Sequence, residues 1–353
     1  MTDHTSQVTV VVVTWQGAHL LGDCLTSLGA QTAAHHVLVV DNASTDGTDR
    51  LLAERFPHLQ VLALPRNTGF AGGVAAALPL VRTPYLALLN NDAAADPQWL
   101  QHSLDALDAC SDAAAVTARM LLWDLAEPRL NNADVLLVRG GYGADRGLGQ
   151  PDGPPYDEPA EVFGFSGGAA VLRTDAVRAV GGIAAEFFLY YEDTDLAWRL
   201  RLAGWRVRYE PSAVVRHRHA ASTDRRSTMF AYYNERNRLL MLLRCAPAGF
   251  ALGQLGRFCV TSGSLLARRM LRQHVPADPV FRGRLRLRVL WGVLRRFPGA
   301  MRQRRAIARR SVVARSDITG EWVERATGLS LGADREKAPM SGPTIDKAKG
   351  QQR

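Results

Sequence analysis

Short apolar stretches alternate with helical ones through the first hundred residues, and this alternation limits the fold more than any other feature. The stretch Val8–Thr14 is β-branched and apolar, as expected of a strand buried on both faces. Further strands are predicted at 36–41, 61–64 and 85–90, with helices at about 19–28, from Ser44 or Thr45 as N-cap through 56, and at 70–78. Strands that alternate with helices predict an α/β fold with a mainly parallel sheet flanked by helices.

Polar residues follow two of these strands where each strand ends. Asp41 and Asn42 end the second strand, and Asn90, Asn91 and Asp92 end the fourth. Open α/β sheets bind their ligands at the carboxyl ends of the strands. The sequence therefore predicts a ligand site at this edge.

Beyond the first hundred residues the pattern is less regular. Residues 124–159 contain six glycines and five prolines, which predicts a long loop, either functional or disordered. Helices are predicted at 175–180 and 192–203, strands at 207–209 and 213–217, and mostly helical structure at 226–310, with the type of 284–289 left open. The tail, 333–353, is predicted to be disordered.

Charge is distributed very unevenly along the chain. Residues 1–198 carry 10 Arg, no Lys and 24 acidic residues, whereas residues 199–310 carry 26 Arg and 4 acidic residues. Such a basic region suits an anionic surface, for example phospholipid, lipid diphosphate or nucleic acid, although a solvated basic face is the simpler alternative. Few aromatic residues stand among the arginines of 282–310, which argues against stacking on single-stranded nucleic acid.

The cysteines and the hydropathy pattern favour an intracellular protein. The four cysteines have neither zinc-ligand spacing nor a disulfide pattern. The N-terminal MTDHTSQ is unlike a signal peptide, and arginines interrupt every long apolar stretch, short of the ~20 residues that span a bilayer. We therefore expect a cytoplasmic protein, peripheral on the inner face of the plasma membrane.

Several motifs occur in an order that resembles a known family. They are VVDNASTDGT, RNTGFAGG, LLNNDA, FFLYYEDTDLAWRLRLAGW and VVRHRHAAS. Their order is similar to that of the inverting family-2 glycosyltransferases of GT-A fold, in particular the rhamnosyltransferase-like bacterial members, over about residues 8–222. The resemblance implies a catalytic domain at 1–225, and the arginine-rich helical pattern beyond it predicts a basic C-terminal region at 226–332.

The resemblance also implies how the donor is bound. In family members, the residue matching Asp41 accepts the N3–H of a uracil or thymine ring; the alternative is an Asx turn. The glycines of RNTGFAGG permit close approach of the backbone, although Val74 stands where many family members have Asn. The residues assigned to the nucleotide sugar are Thr14, Asp41, Asn42, Arg66, Asn67, Gly69, Asn91 and Asp92.

A divalent cation, Mg²⁺ or Mn²⁺, is the cofactor that this resemblance implies. LLNNDA is similar to the family's DxD-type motif, with Asn in the first acidic position and Asp92 in the last. A hard cation held by carboxylate and phosphate oxygens neutralises the departing diphosphate. Asp92 is therefore the predicted metal ligand, with His217 completing the site and His219 as a competing candidate. The alternative for Asp92 is a capping role.

The string FFLYYEDTDLAWRLRLAGW supplies the predicted catalytic residues. A sugar hydroxyl needs a positioned carboxylate to accept its proton as the new bond forms. Glu192 and Asp193 match the family's catalytic pair at a helix start, and Asp193 is the predicted base; the alternative is a helix start that merely carries acidic residues. The acceptor is assigned to Gly167, Gly168, Trp198 and Arg199.

The favoured hypothesis is a hexosyltransferase that uses a pyrimidine nucleoside diphosphate sugar, such as dTDP-rhamnose, and inverts the anomeric centre. The acceptor is a hydroxyl of a cell-envelope glycan or polyprenyl-linked sugar. Two alternatives from other classes are a sugar-1-phosphate nucleotidyltransferase, whose basic phosphate loop is missing after the first strand, and a noncatalytic nucleic-acid-binding protein.

Overall fold

The computed structural model describes residues 6–123, 125–218, 227–274, 276 and 278–328 of the chain. Its strands are β1 Val8–Thr14, β2 His35–Asp41, β3 Gln60–Ala63, β4 Tyr85–Leu89, β5 Ala93–Ala95, β6 Ala113–Leu122, β7 Leu130–Asn132, β8 Val135–Val138, β9 Tyr142–Asp145, β10 Ala160–Glu161, β11 Ala169–Arg173 and β12 Arg206–His217. Its α-helices are α1 Ala18–Gly29, α2 Thr48–Arg55, α3 Gly69–Ala77, α4 Trp99–Ala109, α5 Thr174–Ala179, α6 Glu192–Leu202, α7 Thr228–Cys245, α8 Ala248–Met270, α9 Gly283–Arg310 and α10 Arg315–Gly328.

The main sheet has the strand order β10-β12-β6-β11-β4-β1-β2-β3. Strands β1 to β4 are parallel to one another, β6 and β12 form a second parallel pair, and β11 joins the two groups by pairing antiparallel with β4 and β6. Strands β8 and β9 form a separate antiparallel hairpin. The predicted mainly parallel sheet with flanking helices is confirmed.

Both faces of the sheet are covered. Along β1, Val11 and Val13 belong to the core on one face, while Val10 and Val12 belong to the core on the other. Helices α1 and α4 contribute to one core, and α3, α5 and α6 contribute to the other. The continuous apolar run in β1 therefore arises because successive side chains face two different buried layers.

The structure corrects four local predictions. Residues 130–145, predicted as loop, contain β7 and the β8–β9 hairpin. Helix α2 begins at Thr48 with Gly47 as its N-cap residue, whereas Ser44 and Thr45 hydrogen-bond to Gln16. The two strands predicted at 207–217 are one strand with a register shift after Glu210. Residues 284–289, left open, are helical and lie inside α9.

The basic helices share a core with the sheet domain. Leu240 of α7, Phe258 of α8, Val289 of α9 and Trp322 of α10 all belong to the same hydrophobic cluster as Val11 of β1. The functional division at residues 225 and 226 stays a prediction, and the predicted tail 333–353 lies outside the described residues. Among the helices that the structure describes, none is both long and apolar enough to cross a bilayer.

Candidate active site

The carboxyl ends of β1, β2 and β4 meet at one edge of the sheet. Thr14 ends β1 directly opposite Asp41 at the end of β2. Asn91, just after β4, donates a hydrogen bond from Nδ2 to Oγ1 of Thr14 across 3.0 Å. A Cβ on Gly17 would lie 2.3 Å from that Nδ2, so glycine is required there to let the loop after β1 approach Asn91.

Asp41 is nearly buried, with 7% of its surface exposed. Its Oδ1 accepts a hydrogen bond of 3.1 Å from the backbone N–H of Ser44, so the predicted alternative, an Asx turn, is present. Within the described contacts, this turn engages only one carboxylate oxygen. The second oxygen remains for an imide donor, and the two roles are compatible.

Asn42, which was assigned from the sequence to the nucleotide sugar, lies inside the protein. It is buried, its Nδ2 donates to the carbonyl of Gly69 at 2.9 Å, and its Oδ1 accepts from the N–H and hydroxyl of Thr68, both at 3.0 Å. All its polar atoms are thus engaged inside the protein. Asn42 holds the start of α3 against β2.

The segment 66–69 leads into α3 beside Asp41. Arg66 is exposed, whereas the Oδ1 of Asn67 accepts a hydrogen bond of 2.8 Å from the N–H of Gly69. Gly69 has a φ of +72°, and a Cβ there would lie 2.2 Å from the carbonyl oxygen of Phe188. Only glycine tolerates both the positive φ and the close carbonyl oxygen, so Gly69 allows the segment 66–69 to contact the chain that precedes α6.

Asp92 and His217 face each other at the end of β12. Their Oδ1 and Nε2 atoms are 3.0 Å apart, and both side chains are largely buried. The Nδ1 of His217 lies 2.9 Å from Oδ1 of Asn131, and its Nε2, beside Asp92, also lies 3.3 Å from Nδ2 of Asn90.

These two side chains fit a hard divalent cation. Neighbouring ligands of an octahedral ion with bonds of about 2.1 Å lie about 3 Å apart, as Asp92 and His217 do here. Asn131 would act as the outer partner that orients the imidazole. In the described ranges no group of three or more His, Cys, Asp and Glu is suited to hold a metal. The remaining ligands would come from the diphosphate and water.

Asp193 lies in the first turn of α6, where helix N-termini favour a negative charge. Its Oδ2 accepts from the N–H of Gly167 at 3.0 Å, and its Oδ1 accepts from the N–H and hydroxyl of Thr194 at 2.6 and 3.0 Å. Burial raises the pKa of Asp193 above the usual value, although these hydrogen bonds oppose the shift. The result is a rigidly held carboxylate of increased basicity.

Glu192 precedes Asp193 but points into the protein. Its side chain is buried, and its Oε2 has no hydrogen-bond partner among the described residues. Burial, followed by the charge of Asp193, raises the pKa of Glu192 well above its usual value. Of this pair, Asp193 is therefore the carboxylate more easily held in its charged form, and it is the residue beside Gly167.

Trp198 and Arg199, assigned above to the acceptor, lie in the core. Trp198 has no exposed surface and packs edge-on against Phe163 with ring centroids 5.9 Å apart. Arg199 is 3% exposed; it pairs with Asp195 at 2.8 Å and donates to the carbonyl of Val180 at 2.9 Å. Neither side chain is available to an acceptor, so both are corrected to packing roles.

Continuous contacts join the other predicted residues. The N–H of Asn90 donates to the carbonyl of Gly168 at 3.0 Å, which connects the end of β4 to the turn that contacts Asp193. The N–H of Ala71 donates to the carbonyl of Phe188 at 3.1 Å, which connects α3 to the segment before α6. The nucleotide-side residues, the Asp92–His217 pair and Asp193 are thus brought together. The competing His219 lies outside the described residues.

Two residues that contact segments of this site, Asn131 and Asn237, were not predicted from the sequence. Asn131 stands in the glycine-rich stretch, where no pattern marks it as the partner of His217. Asn237 stands in an arginine-rich helical segment, and its only signal is that asparagine is a poor residue for a helix interior.

Two family models match the chain. The model described as Glycosyl transferase family 2 matches residues 9–180. The model described as Glycosyl transferase family group 2 matches residues 152–316, a range that includes Asp193, His217 and much of the arginine-rich region.

Named relatives are similar over more than half of the chain. One, from Mycobacterium tuberculosis, is an N-acetylglucosaminyl-diphospho-decaprenol L-rhamnosyltransferase; it is 34% identical over 242 residues, which cover 63% of this chain and 79% of the relative. Another from the same organism, a pre-mycofactocin glycosyltransferase, is 32% identical over 230 residues, covering 60% of this chain and 43% of the relative.

A solved structure confirms the predicted GT-A-like fold. GalNAc-T7, crystallised with UDP, GalNAc and Mn²⁺, superposes with a TM-score of 0.59 over 90% of this chain and 58% of the other, at 12% identity. At this level of identity, the similarity concerns the fold alone.

Proposed function

We propose, from the premise that this chain belongs to glycosyl transferase family 2, that it transfers a sugar from a pyrimidine nucleoside diphosphate sugar to a hydroxyl of a polyprenyl-linked glycan. The transfer inverts the anomeric centre. Membership in this family makes the chain a glycosyltransferase. We therefore set aside both alternatives, the nucleotidyltransferase and the noncatalytic nucleic-acid-binding protein.

The observation that carries this proposal is that hydrogen-bonded neighbours link three different groups, two at the carboxyl edge of the sheet and one in the first turn of α6. Asp41 presents an acceptor for an imide N–H, Asp92 with His217 presents ligands for a cation, and Asp193 presents a base. A nucleoside diphosphate sugar has a base, a diphosphate and an anomeric carbon in that order. Asp41 and the Asp92–His217 pair match the base and the diphosphate of one donor, and Asp193 matches the acceptor hydroxyl that attacks its anomeric carbon.

The reaction is a single displacement. Asp193 accepts the proton of the acceptor hydroxyl while the hydroxyl oxygen bonds to the anomeric carbon from the face opposite the diphosphate. The bond from that carbon to the diphosphate oxygen breaks, and its electron pair stays on the leaving nucleotide. Asp92 and His217 would hold Mg²⁺ or Mn²⁺, which supplies positive charge to the departing diphosphate.

The relatives support the choice of substrates. The mycobacterial relative is named for an L-rhamnosyl transfer and for a diphospho-decaprenol acceptor. By analogy we assign dTDP-rhamnose as the donor and a lipid diphosphate-linked sugar as the acceptor, in cell-wall assembly.

A direct assay tests this function. The full chain is incubated with polyprenyl diphosphate-linked N-acetylglucosamine and with dTDP-rhamnose, UDP-N-acetylglucosamine or GDP-mannose, in Mn²⁺, Mg²⁺ or EDTA. We expect metal-dependent release of nucleoside diphosphate from a pyrimidine donor, and a glycan whose new linkage has the configuration opposite to the donor's. Exclusive use of the purine donor, or retention of configuration, would contradict the proposal.

The outer surface of α8 and α9 fits the membrane where a polyprenyl acceptor resides. Helix α9 contains ten arginines and no acidic residue. Leu287, Trp291 and Leu294 form an exposed stripe at helical spacing, each at least 63% exposed. Exposed leucine and tryptophan beside arginine are typical of helices that lie in an anionic membrane interface, where each basic residue contributes about 1 kcal/mol. We assign this surface to the anionic cytoplasmic leaflet.

Replacing Leu287, Trp291 and Leu294 together by serine is expected to weaken binding to phosphatidylglycerol vesicles about tenfold or more. Full burial of a large apolar side chain contributes about 1.5–3 kcal/mol, and each of these three side chains would contribute part of that free energy at the membrane. Vesicle cosedimentation measures the loss. Turnover with a water-soluble acceptor should be unchanged. The matched control replaces Val61 and Leu80, exposed apolar residues away from these helices, by serine. Equal binding of the wild type to phosphatidylcholine and phosphatidylglycerol vesicles would refute an anionic surface.

A further inference from the structure

The segment that leads into α6 has an unusual backbone. Phe188, Tyr190 and Tyr191 have φ values of +69°, +67° and +68°, although none is glycine. Such a conformation is strained for a residue with a side chain and persists only where the surrounding structure enforces it. Because Asp193 follows Tyr191 by two residues, this segment determines where the proposed base lies.

Asn237, on α7, holds that segment by its side-chain amide. Asn237 is fully buried, and its Nδ2 donates to the carbonyls of Phe187, Leu189 and Tyr190 at 2.9, 2.7 and 2.8 Å. One amide nitrogen thus contacts three carbonyls of the strained segment. The carbonyl groups of this strained segment are therefore hydrogen-bonded by a side chain of α7 that follows them by 47 to 50 residues in the sequence.

Arg236 determines the orientation of this amide. Its Nε donates to Oδ1 of Asn237 at 2.8 Å, which leaves Nδ2 directed at the segment. Its Nη2 donates to the carbonyls of Glu186 and Phe187 at 3.0 and 2.8 Å. The two neighbouring side chains together hold the carbonyls of Glu186, Phe187, Leu189 and Tyr190.

Aromatic packing and the nucleotide-side helix hold the segment from other directions. Phe188 stacks on Tyr233 with ring centroids 5.0 Å apart, and Tyr190 packs edge-on against Phe230 at 5.0 Å. The carbonyl of Phe188 accepts from the N–H of Ala71 of α3. The segment is therefore held between α3, which carries part of the predicted donor site, and α7.

We infer that Asn237, oriented by Arg236, is a positioning residue that holds the strained backbone of residues 187–191 and thereby places Asp193 at the acceptor hydroxyl. This inference rests on the proposed function, in which Asp193 is the base. It gives the C-terminal helices a role in the chemistry. Asn237 itself touches no reacting atom.

The test replaces Asn237 by aspartate, which has the same shape but no amide hydrogens and directs oxygen at three carbonyls. A displacement of the base by about 1 Å can cost about 100-fold in rate, so we expect kcat to fall about 100-fold while KM for the donor changes less than threefold. Arg236→Lys, which cannot bridge the same carbonyls, should lower kcat less and is the milder variant if Asn237→Asp folds poorly.

The matched control is Arg304→Ala. Arg304 donates to the carbonyls of Leu243 and Ala246 at 2.9 and 2.7 Å, so it holds the other end of α7, away from the base. It should lower the melting temperature and leave kcat unchanged. A merely structural role for Asn237 predicts the same outcome for Asn237→Asp, and that result would overturn the inference.

Hydrogen exchange separates this inference from the proposed function. The N–H groups of Phe187, Phe188 and Leu189 are hydrogen-bonded within the segment. Peptides covering 186–195 should exchange faster in Asn237→Asp than in the wild type or Arg304→Ala, whichever donor the enzyme uses. Unchanged exchange would contradict the positioning role. Wild-type protein without turnover on any donor would contradict the function instead.

Discussion

Replacing Asp193 by asparagine is expected to lower kcat by about 10²–10⁴-fold, the contribution typical of a general base. The amide has the same size as the carboxylate but cannot accept the acceptor's proton. Release of nucleoside diphosphate in the presence of acceptor measures the loss, and titration calorimetry should find donor affinity nearly unchanged. Unchanged turnover would remove Asp193 as the base.

The pH profile gives a second, independent readout. Burial raises the pKa of Asp193 above that of an ordinary aspartate. Activity requires the deprotonated carboxylate, so kcat should fall as the pH drops through this raised pKa, and the acidic limb should lie above the ordinary range for aspartate. The matched control is Asp175→Asn, an exposed acid in the first turn of α5 whose loss should alter neither rate nor profile.

Replacing Asp92 by alanine is expected to abolish stimulation by Mn²⁺ or Mg²⁺ and to lower turnover about 10²-fold or more, since stabilising a leaving diphosphate is worth several kcal/mol. Calorimetry with and without metal should show that metal no longer strengthens donor binding. An unchanged response to metal would place the ion elsewhere.

The control for this second prediction is Asp96→Asn. Asp96 follows Asp92 by four residues, and its Oδ1 accepts a hydrogen bond of 3.2 Å from the N–H of Gln98, a contact that asparagine preserves. This variant removes a nearby negative charge without removing a proposed ligand. We expect it to keep the metal response of the wild type.

Local sequence was sufficient wherever a role depends on the end of a strand or the start of a helix. Thr14, Asp41 and Asn91 could be placed at one edge because β1, β2 and β4 are parallel and their ends meet. Asp193 could be placed in a first turn because acidic residues precede a helical run. These predictions use only periodicity and the chemistry of neighbouring residues.

The sequence does not predict which face of a helix contacts a ligand when every face of that helix is buried. Nearly every residue of α6 is buried, so no contrast between polar and apolar positions indicates which side faces the acceptor. Trp198 and Arg199 were therefore assigned to the wrong side. Arg199 is charged and yet lies in the core because Asp195, one turn earlier, compensates its charge there.

The sequence by itself determined the α/β layering, the polar edge of the sheet and the residue types that meet there, because each follows from spacing within a few residues. The family resemblance put Asp92 and His217 in one site, but only the tertiary structure decided that these two side chains are in direct contact, that Asn131 contacts the other nitrogen of His217, and that Asn237 holds the backbone before Asp193. These partners are 47 to 125 residues apart in the chain. No local pattern encodes such pairings, since they arise only when packing of the sheet and helices brings distant segments into contact.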